Sequence, residues 1–280
     1  MTGIILEGGT FRPIFSCGVM DALLSENIVL PYCIGVSAGI ANGISYISKQ
    51  PQRNLEIMQK YRNDKRYMSR QNLRESKSIF GLDFVFGEIP QKLVPFDRDT
   101  FFSYNGTCLV GVTNAETGEA EYKNAMDMDE DYTMIRATCA LPMFFPAIEL
   151  DGQKYYDGGI ADPIPVKKAL EDGCDKVLIV LTQPRGFVKR YGKYDKMGAR
   201  MLGRKYPEMK KMIQSRPDRY NEAVQYCESL AREGKAMIIR PNHLLNSFES
   251  DIRKLEMAYW HGYRMTKERM KKIKKFLEWE

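Results

Sequence analysis

The chain has 280 residues, 44% hydrophobic and 28% charged, which excludes an intrinsically disordered protein and fits a globular one. No apolar run approaches the ~18 residues of a membrane-spanning helix. The opening Gly3-Ile4-Ile5-Leu6 lacks the basic and apolar regions of a signal peptide, so a cytoplasmic location is expected. The net charge of +6 is concentrated: Arg185 to Arg219 holds 12 Lys or Arg against 3 Asp or Glu. That stretch reads either as a solvated helical surface or as a face for an anionic partner, an anionic membrane at the inner leaflet being the expected one. No nucleic-acid motif surrounds it, so nucleic acid is not an expected partner. The six cysteines are scattered without a C-x-x-C pair and read as reduced thiols, neither a disulfide framework nor a metal site.

In chain order, Gly3–Leu6 reads as a short buried strand, followed by the turn Gly8-Gly9-Thr10-Phe11-Arg12-Pro13. A helix starts near Pro13, where proline suits the first helical position. Tyr32–Val36 is a second strand, and Ser37 to about Ser48 a helix of small residues. Residues 50–75 are polar, an exposed helix with a connection. Residues 79–96 are irregular and rich in aromatic and apolar side chains that either line a groove or fill a core. Thr107–Thr113 and Glu119–Lys123 form a hairpin, and Asp131–Cys139 a helix that ends before Pro142. Ile148–Leu150 and Lys154–Tyr156 flank a turn at Asp151-Gly152. Pro163–Asp172 is a helix, Lys176–Leu181 a strand, 207–233 largely helical and Ala236–Arg240 a strand. Asp251–Leu277 is an amphipathic helix with Ile252, Leu255, Tyr259 and Gly262 on one face, expected to pack on the domain. Alternating strands and helices imply α/β with a largely parallel sheet covered on both faces. A single domain over 1–280 is expected, with 185–235 a basic helical elaboration and 251–277 a C-terminal amphipathic helix.

Gly35-Val36-Ser37-Ala38-Gly39 fits G-x-S-x-G, and its strand–turn–helix setting is what a nucleophile elbow needs. Ser37 at a helix N-terminus meets a dipole that favours developing negative charge; the alternative is a small-residue turn with Ser37 as a plain N-cap. A serine nucleophile needs a base. The chain has two histidines, His243 and His261, and either formally completes a Ser–Asp–His order. Tyr156-Asp157-Gly158-Gly159 is the better source: Asp157 follows a strand that delivers it to the sheet edge, and the glycines permit a tight turn. The Gly8-Gly9-Thr10 turn can donate backbone N–H groups to an oxyanion, together with that of Ala38. Neither a dinucleotide fingerprint nor a P-loop fits: the first needs glycine at Thr10 and Pro13, and no G-K-[ST] follows. The acidic run Asp127–Asp131 lacks the glycine and the glutamate of a calcium loop and reads as an acidic helix start.

These three elements, in this order, resemble the patatin-like phospholipase family: a glycine-rich turn with a basic residue (Gly8 to Pro13, with Arg12), then G-x-S-x-G, then Asp157-Gly158-Gly159. Ala137-Thr138-Cys139-Ala140-Leu141-Pro142-Met143-Phe144-Phe145-Pro146 is similar to the family's segment before D-G-G. The resemblance covers about residues 3–182. It implies a three-layer α/β/α sandwich with a mostly parallel sheet, a Ser37–Asp157 dyad without histidine, no cofactor, and lipid acyl esters as substrates. Two positions depart from the pattern: Thr10 replaces the usual third glycine, and Pro13, which has no N–H, replaces the glycine after Arg12. They motivate an alternative, a catalytically weak or inactive lipid-binding or regulatory protein on the same fold. Arg12 either holds the loop, meets an anionic head group, or lies exposed. Head group, acyl length and oligomeric state are not encoded in these motifs.

Overall fold

A computed structural model describes residues 1–279. Eight strands, β1 (Thr2–Leu6), β2 (Tyr32–Val36), β3 (Thr107–Asn114), β4 (Ala120–Asn124), β5 (Ile148–Leu150), β6 (Gln153–Asp157), β7 (Lys176–Val180) and β8 (Ala236–Ile239), form one sheet. Its order is β5-β6-β3-β2-β1-β7-β8, with β4 also on β3. β3, β2, β1, β7 and β8 run parallel. β4 and β6 are antiparallel to β3, and β5 to β6. The parallel strands read as continuous apolar runs because both faces are covered. Successive side chains point to opposite faces, and the core divides accordingly. Ile4, Leu6, Cys33 and Leu178 join one apolar cluster; Ile5, Tyr32, Ile34, Val177 and Ile179 join the other.

On the first face lie α1 (Ile14–Leu24), α2 (Ala38–Ile47) and the long α10 (Ile252–Leu277). On the second lie α7 (Val166–Glu171) and α9 (Pro207–Arg232), through residues such as Val166, Tyr220 and Cys227. The architecture is a three-layer α/β/α sandwich. The remaining helices are α3 (Arg53–Tyr61), α4 (Arg70–Ser76), α5 (Arg98–Phe102), α6 (Thr133–Thr138) and α8 (Lys193–Leu202). No helix of the described residues is long and apolar enough to cross a membrane.

The structure departs from the sequence reading in two places. Residues 79–96 are not irregular throughout: Phe84–Leu93 is a π-helix, with Pro90 inside it and the Val94 N–H bonded to the Ile89 carbonyl. A π-helix has no 3.6-residue period, which is why the apolar pattern there looked aperiodic. The acidic run stands before α6, not within its first turn; Asp129 Oδ1 accepts the Thr133 N–H at 2.7 Å.

α1 and α10 pack closely because glycines face each other across the contact. A Cβ on Gly18 would lie 2.0 Å from the Tyr259 carbonyl oxygen, and one on Gly262 2.1 Å from that of Phe15. The buried Tyr259 hydroxyl also donates to Asp21 at 2.6 Å. Gly262→Ala should therefore destabilise the protein by about 1–3 kcal/mol, the usual cost of overpacking. Urea unfolding measures this; a change smaller than about 0.5 kcal/mol would mean that the helices separate freely.

Candidate active site

Ser37 stands between the end of β2 and the start of α2 with φ 53° and ψ −142°, a conformation that costs about 1–3 kcal/mol for a residue with a side chain. The surroundings impose it. The Ser37 N–H donates to Thr138 Oγ1 at 2.7 Å, and the Thr138 hydroxyl donates to the Gly111 carbonyl at 2.5 Å. The end of β1 passes so near that a Cβ on Gly39 would lie 2.6 Å from the Glu7 carbonyl oxygen, and one on Gly8 2.8 Å from Ser37 Cβ. Glycine at these positions is thus a steric requirement. Ser37 makes no side-chain capping bond to α2, so its hydroxyl is not spent as an N-cap.

Asp157 is the last residue of β6 and is 2% exposed. Oδ1 accepts the Gly159 N–H at 2.8 Å. Oδ2 is buried and makes no full hydrogen bond among the described residues, while the Ser37 hydroxyl lies close enough to favour the ionised carboxylate. Burial outweighs that help and raises the Asp157 pKa; Arg216 and Lys189 pull it back in part. The following turn is tight: a Cβ on Gly158 would lie 2.1 Å from the Gly111 carbonyl oxygen. Two arginines of α9 grip it, Arg216 Nε on the Gly159 carbonyl at 3.0 Å and an Arg219 guanidinium nitrogen on that of Ile160 at 2.6 Å.

In the glycine-rich turn, Gly9 and Thr10 both have positive φ, 142° and 58°. The N–H groups of Gly8, Gly9 and Thr10 have no acceptor among the described residues, and the Gly8 carbonyl accepts the Thr182 hydroxyl at 3.0 Å. Arg12 is not exposed: its guanidinium lies against Gly9, donates to Thr182 Oγ1 and Ser247 Oγ, and stands 4.0 Å from Glu7. Pro13 is the residue before α1 and lines neither cavity described below.

Two cavities meet at Ser37. One is apolar and lined by Ile44, Ile57, Met58, Phe80, Phe86 and Ile89, so the aromatic 79–96 segment forms its wall. The other is polar, lined by Asp157, Glu7, Arg12, Lys189, Asp195 and Arg216. Thr10, Ser37 and Leu141 line both. Cys139 also borders the apolar cavity, but burial and then the Asp157 charge raise its pKa and keep it a thiol.

Neither histidine reaches this junction. His243 and His261 stack on each other, ring centroids 5.3 Å apart and 6° from parallel, and line a separate cleft. Thr138, Lys189, Arg216 and Arg219 were given no role at the site by the sequence reading. Thr138 sat unremarked in the Ala137–Pro146 segment; the other three come from a region legible only as basic.

A sequence profile described as patatin-like phospholipase matches residues 4–170, well over half of the chain, and the protein belongs to that family. A second profile, described as a domain of unknown function (DUF6363), matches residues 206–278. The uncharacterized protein YjjU of Escherichia coli (strain K12) is 26% identical over 196 residues, 65% of this chain and 52% of that protein, so the chain spans about half the length of this relative. The crystal structure of VipD from Legionella pneumophila aligns with a TM-score of 0.46 at 15% identity, covering 95% of this chain and 66% of that one.

The raised Asp157 pKa has a measurable consequence. An unfolded aspartate titrates near about 3.9; the folded value is higher, so the stability Asp157 contributes is present at low pH and is lost as pH rises through the folded pKa. Asparagine does not titrate. The melting temperature of Asp157→Asn minus that of the wild type should become more positive from about pH 4 to about pH 8. Thermal unfolding across that range checks it, and a difference that is flat or falls would show that Asp157 is not a strained anion.

Proposed function

We propose that the protein is a serine acyl hydrolase that cleaves fatty-acyl esters of lipids with Ser37 as nucleophile and Asp157 as base. The observation that carries this reading is the junction itself: a strained serine and a buried carboxylate where an apolar cavity meets a polar one. Family membership supports the lipid substrate class. The apolar cavity suits an acyl chain, and the polar one the alcohol portion.

In the proposed cycle, Asp157 accepts the proton as Ser37 attacks the ester carbonyl. The unused N–H groups of Gly8, Gly9 and Thr10, with that of Ala38, stabilise the tetrahedral oxyanion. The protonated Asp157 gives that proton to the alkoxide as the ester C–O bond breaks and the alcohol leaves. The regenerated carboxylate then takes a proton from the water that attacks the acyl carbonyl and returns it to Ser37 Oγ as the fatty acid departs. The reading of a catalytically inactive lipid binder rested on Thr10 and Pro13. Thr10 already holds the left-handed backbone that a glycine would supply, and Pro13 stands outside both cavities, so neither departure favours it.

A fluorophosphonate should label the wild type and not Ser37→Ala. Ser37→Ala and Asp157→Ala should each lose at least about a thousandfold in turnover of p-nitrophenyl esters while melting cooperatively. His243→Ala and His261→Ala should stay within about tenfold of wild type. Full activity in either dyad variant sinks the assignment, and a collapse in a folded histidine variant shifts it to a conventional triad.

We further propose that the α8 face meets anionic membrane. α8 presents Tyr194, Met197 and Met201, 63%, 46% and 52% exposed, among Lys193, Lys196 and Arg200, a combination suited to an interface. Cosedimentation with anionic vesicles should occur at low salt and fade toward about 1 M, where the Debye length shrinks to about 3 Å. Equal binding to neutral vesicles, or none at all, would refute it.

A further inference from the structure

Three cations and three carboxylates line the polar cavity, and one of the cations has no carboxylate beside it among the described residues. Arg12 faces Glu7, and Arg216 faces Asp195 at 3.5 Å while bonding the Gly159 carbonyl. The Lys189 ammonium has neither a carboxylate within 4.0 Å nor a hydrogen bond among the described residues. It lies 5.4 Å from the Tyr220 ring centroid. Its backbone is nonetheless fixed. Asn221 of α9 accepts the Lys189 N–H at 2.9 Å and donates to the Lys189 carbonyl at 3.0 Å. The Lys189 backbone is thus held in place where the residue lines the cavity shared with Ser37.

We propose that this cavity is an anion subsite, in which Lys189, flanked by Arg216 and Arg12, holds a phosphate-type group on the alcohol side of the ester. The proposal rests on the hydrolase reading only for the word ester; the subsite stands on its own geometry. The apolar cavity takes the chain from one side of Ser37, so the leaving alcohol lies on the other, where these cations are. Burial, then Arg216 and Arg12, lower the Lys189 pKa to about 7, and Asp195 and Glu7 offset this only in part. An arriving anion would relieve that repulsion. Lys189 and Arg216 lie beyond residue 170, where the patatin-like match ends, and Arg216 falls within the 206–278 match of unknown function. The selectivity would thus belong to the elaboration and not to the shared fold.

The alternative role for these cations is to keep Asp157 ionised, since both Arg216 and Lys189 lower its pKa. Two measurements separate the roles. In the first, Ser37→Ala protein, which needs no turnover, is titrated calorimetrically with glycerol phosphate and with inorganic phosphate. Both should bind, and adding Lys189→Met should weaken binding about tenfold or more, while Lys189→Arg should retain it. In the second, kcat/KM is compared for a monoacylglycerol and for the acylglycerol phosphate with the same chain. The ratio of anionic to neutral substrate should fall about tenfold to a hundredfold in Lys189→Met and recover in Lys189→Arg.

Absence of any calorimetric binding overturns the proposal. So does an equal loss for both esters, which would assign Lys189 to Asp157. Lys189-dependent phosphate binding with an unmoved ester ratio also overturns it, because free phosphate and not a head group would then be the ligand. If the anions bind but neither ester is cleaved by wild type, the subsite holds and the hydrolase reading fails.

Discussion

The site depends on one backbone constraint, the closeness of the β1 and β2 ends. They run parallel with Leu6 beside Gly35, and their continuations stay in contact past the sheet edge. Only glycine fits at 8 and 39, and Ser37 between them is forced to positive φ. The Thr138 hydroxyl fastens that turn to β3 through the Gly111 carbonyl, and Gly158 packs on the same carbonyl from β6. Three strands therefore converge on one peptide. The strain at Ser37 and the burial of Asp157 are both stabilised by the sheet, whose apolar faces are covered on each side.

Electrostatics follow from the same placement. Asp157 at the sheet edge is too buried to ionise at its ordinary pKa, and two backbone-anchored cations partly compensate. Those cations come from α9 and the loop before α8, which reach the site from a part of the chain more than 25 residues beyond Asp157. α9 contributes twice, since its Arg216 and Arg219 hold the carbonyls of the turn after Asp157. Removing the α9 elaboration would thus disturb the carboxylate as well as the cavity.

How much of this was legible follows from the kind of constraint. The strands through β3, and β7, could be read because burial on two faces demands apolar runs. The G-x-S-x-G and D-G-G segments could be read because close approach leaves glycine as the only fit. The Phe84–Leu93 π-helix could not, as it follows neither a strand nor an α-helix period and contains Pro90. Lys189 and Arg216 looked like surface charge, because whether a lysine is solvated or lines a cavity depends on where Asn221 and α9 return in space. Arg12 was left with three readings, and its partners Thr182 and Ser247, 170 and 235 residues away, decide among them.

The central claim is that Ser37 carries the acyl group. Acid quenching within the first turnovers of a p-nitrophenyl ester, followed by peptide mass spectrometry, measures this directly. The account predicts one acyl group on the peptide containing Ser37, formed in step with a burst of p-nitrophenol. An acyl group on Cys139, or a burst with no adduct at Ser37, would contradict it.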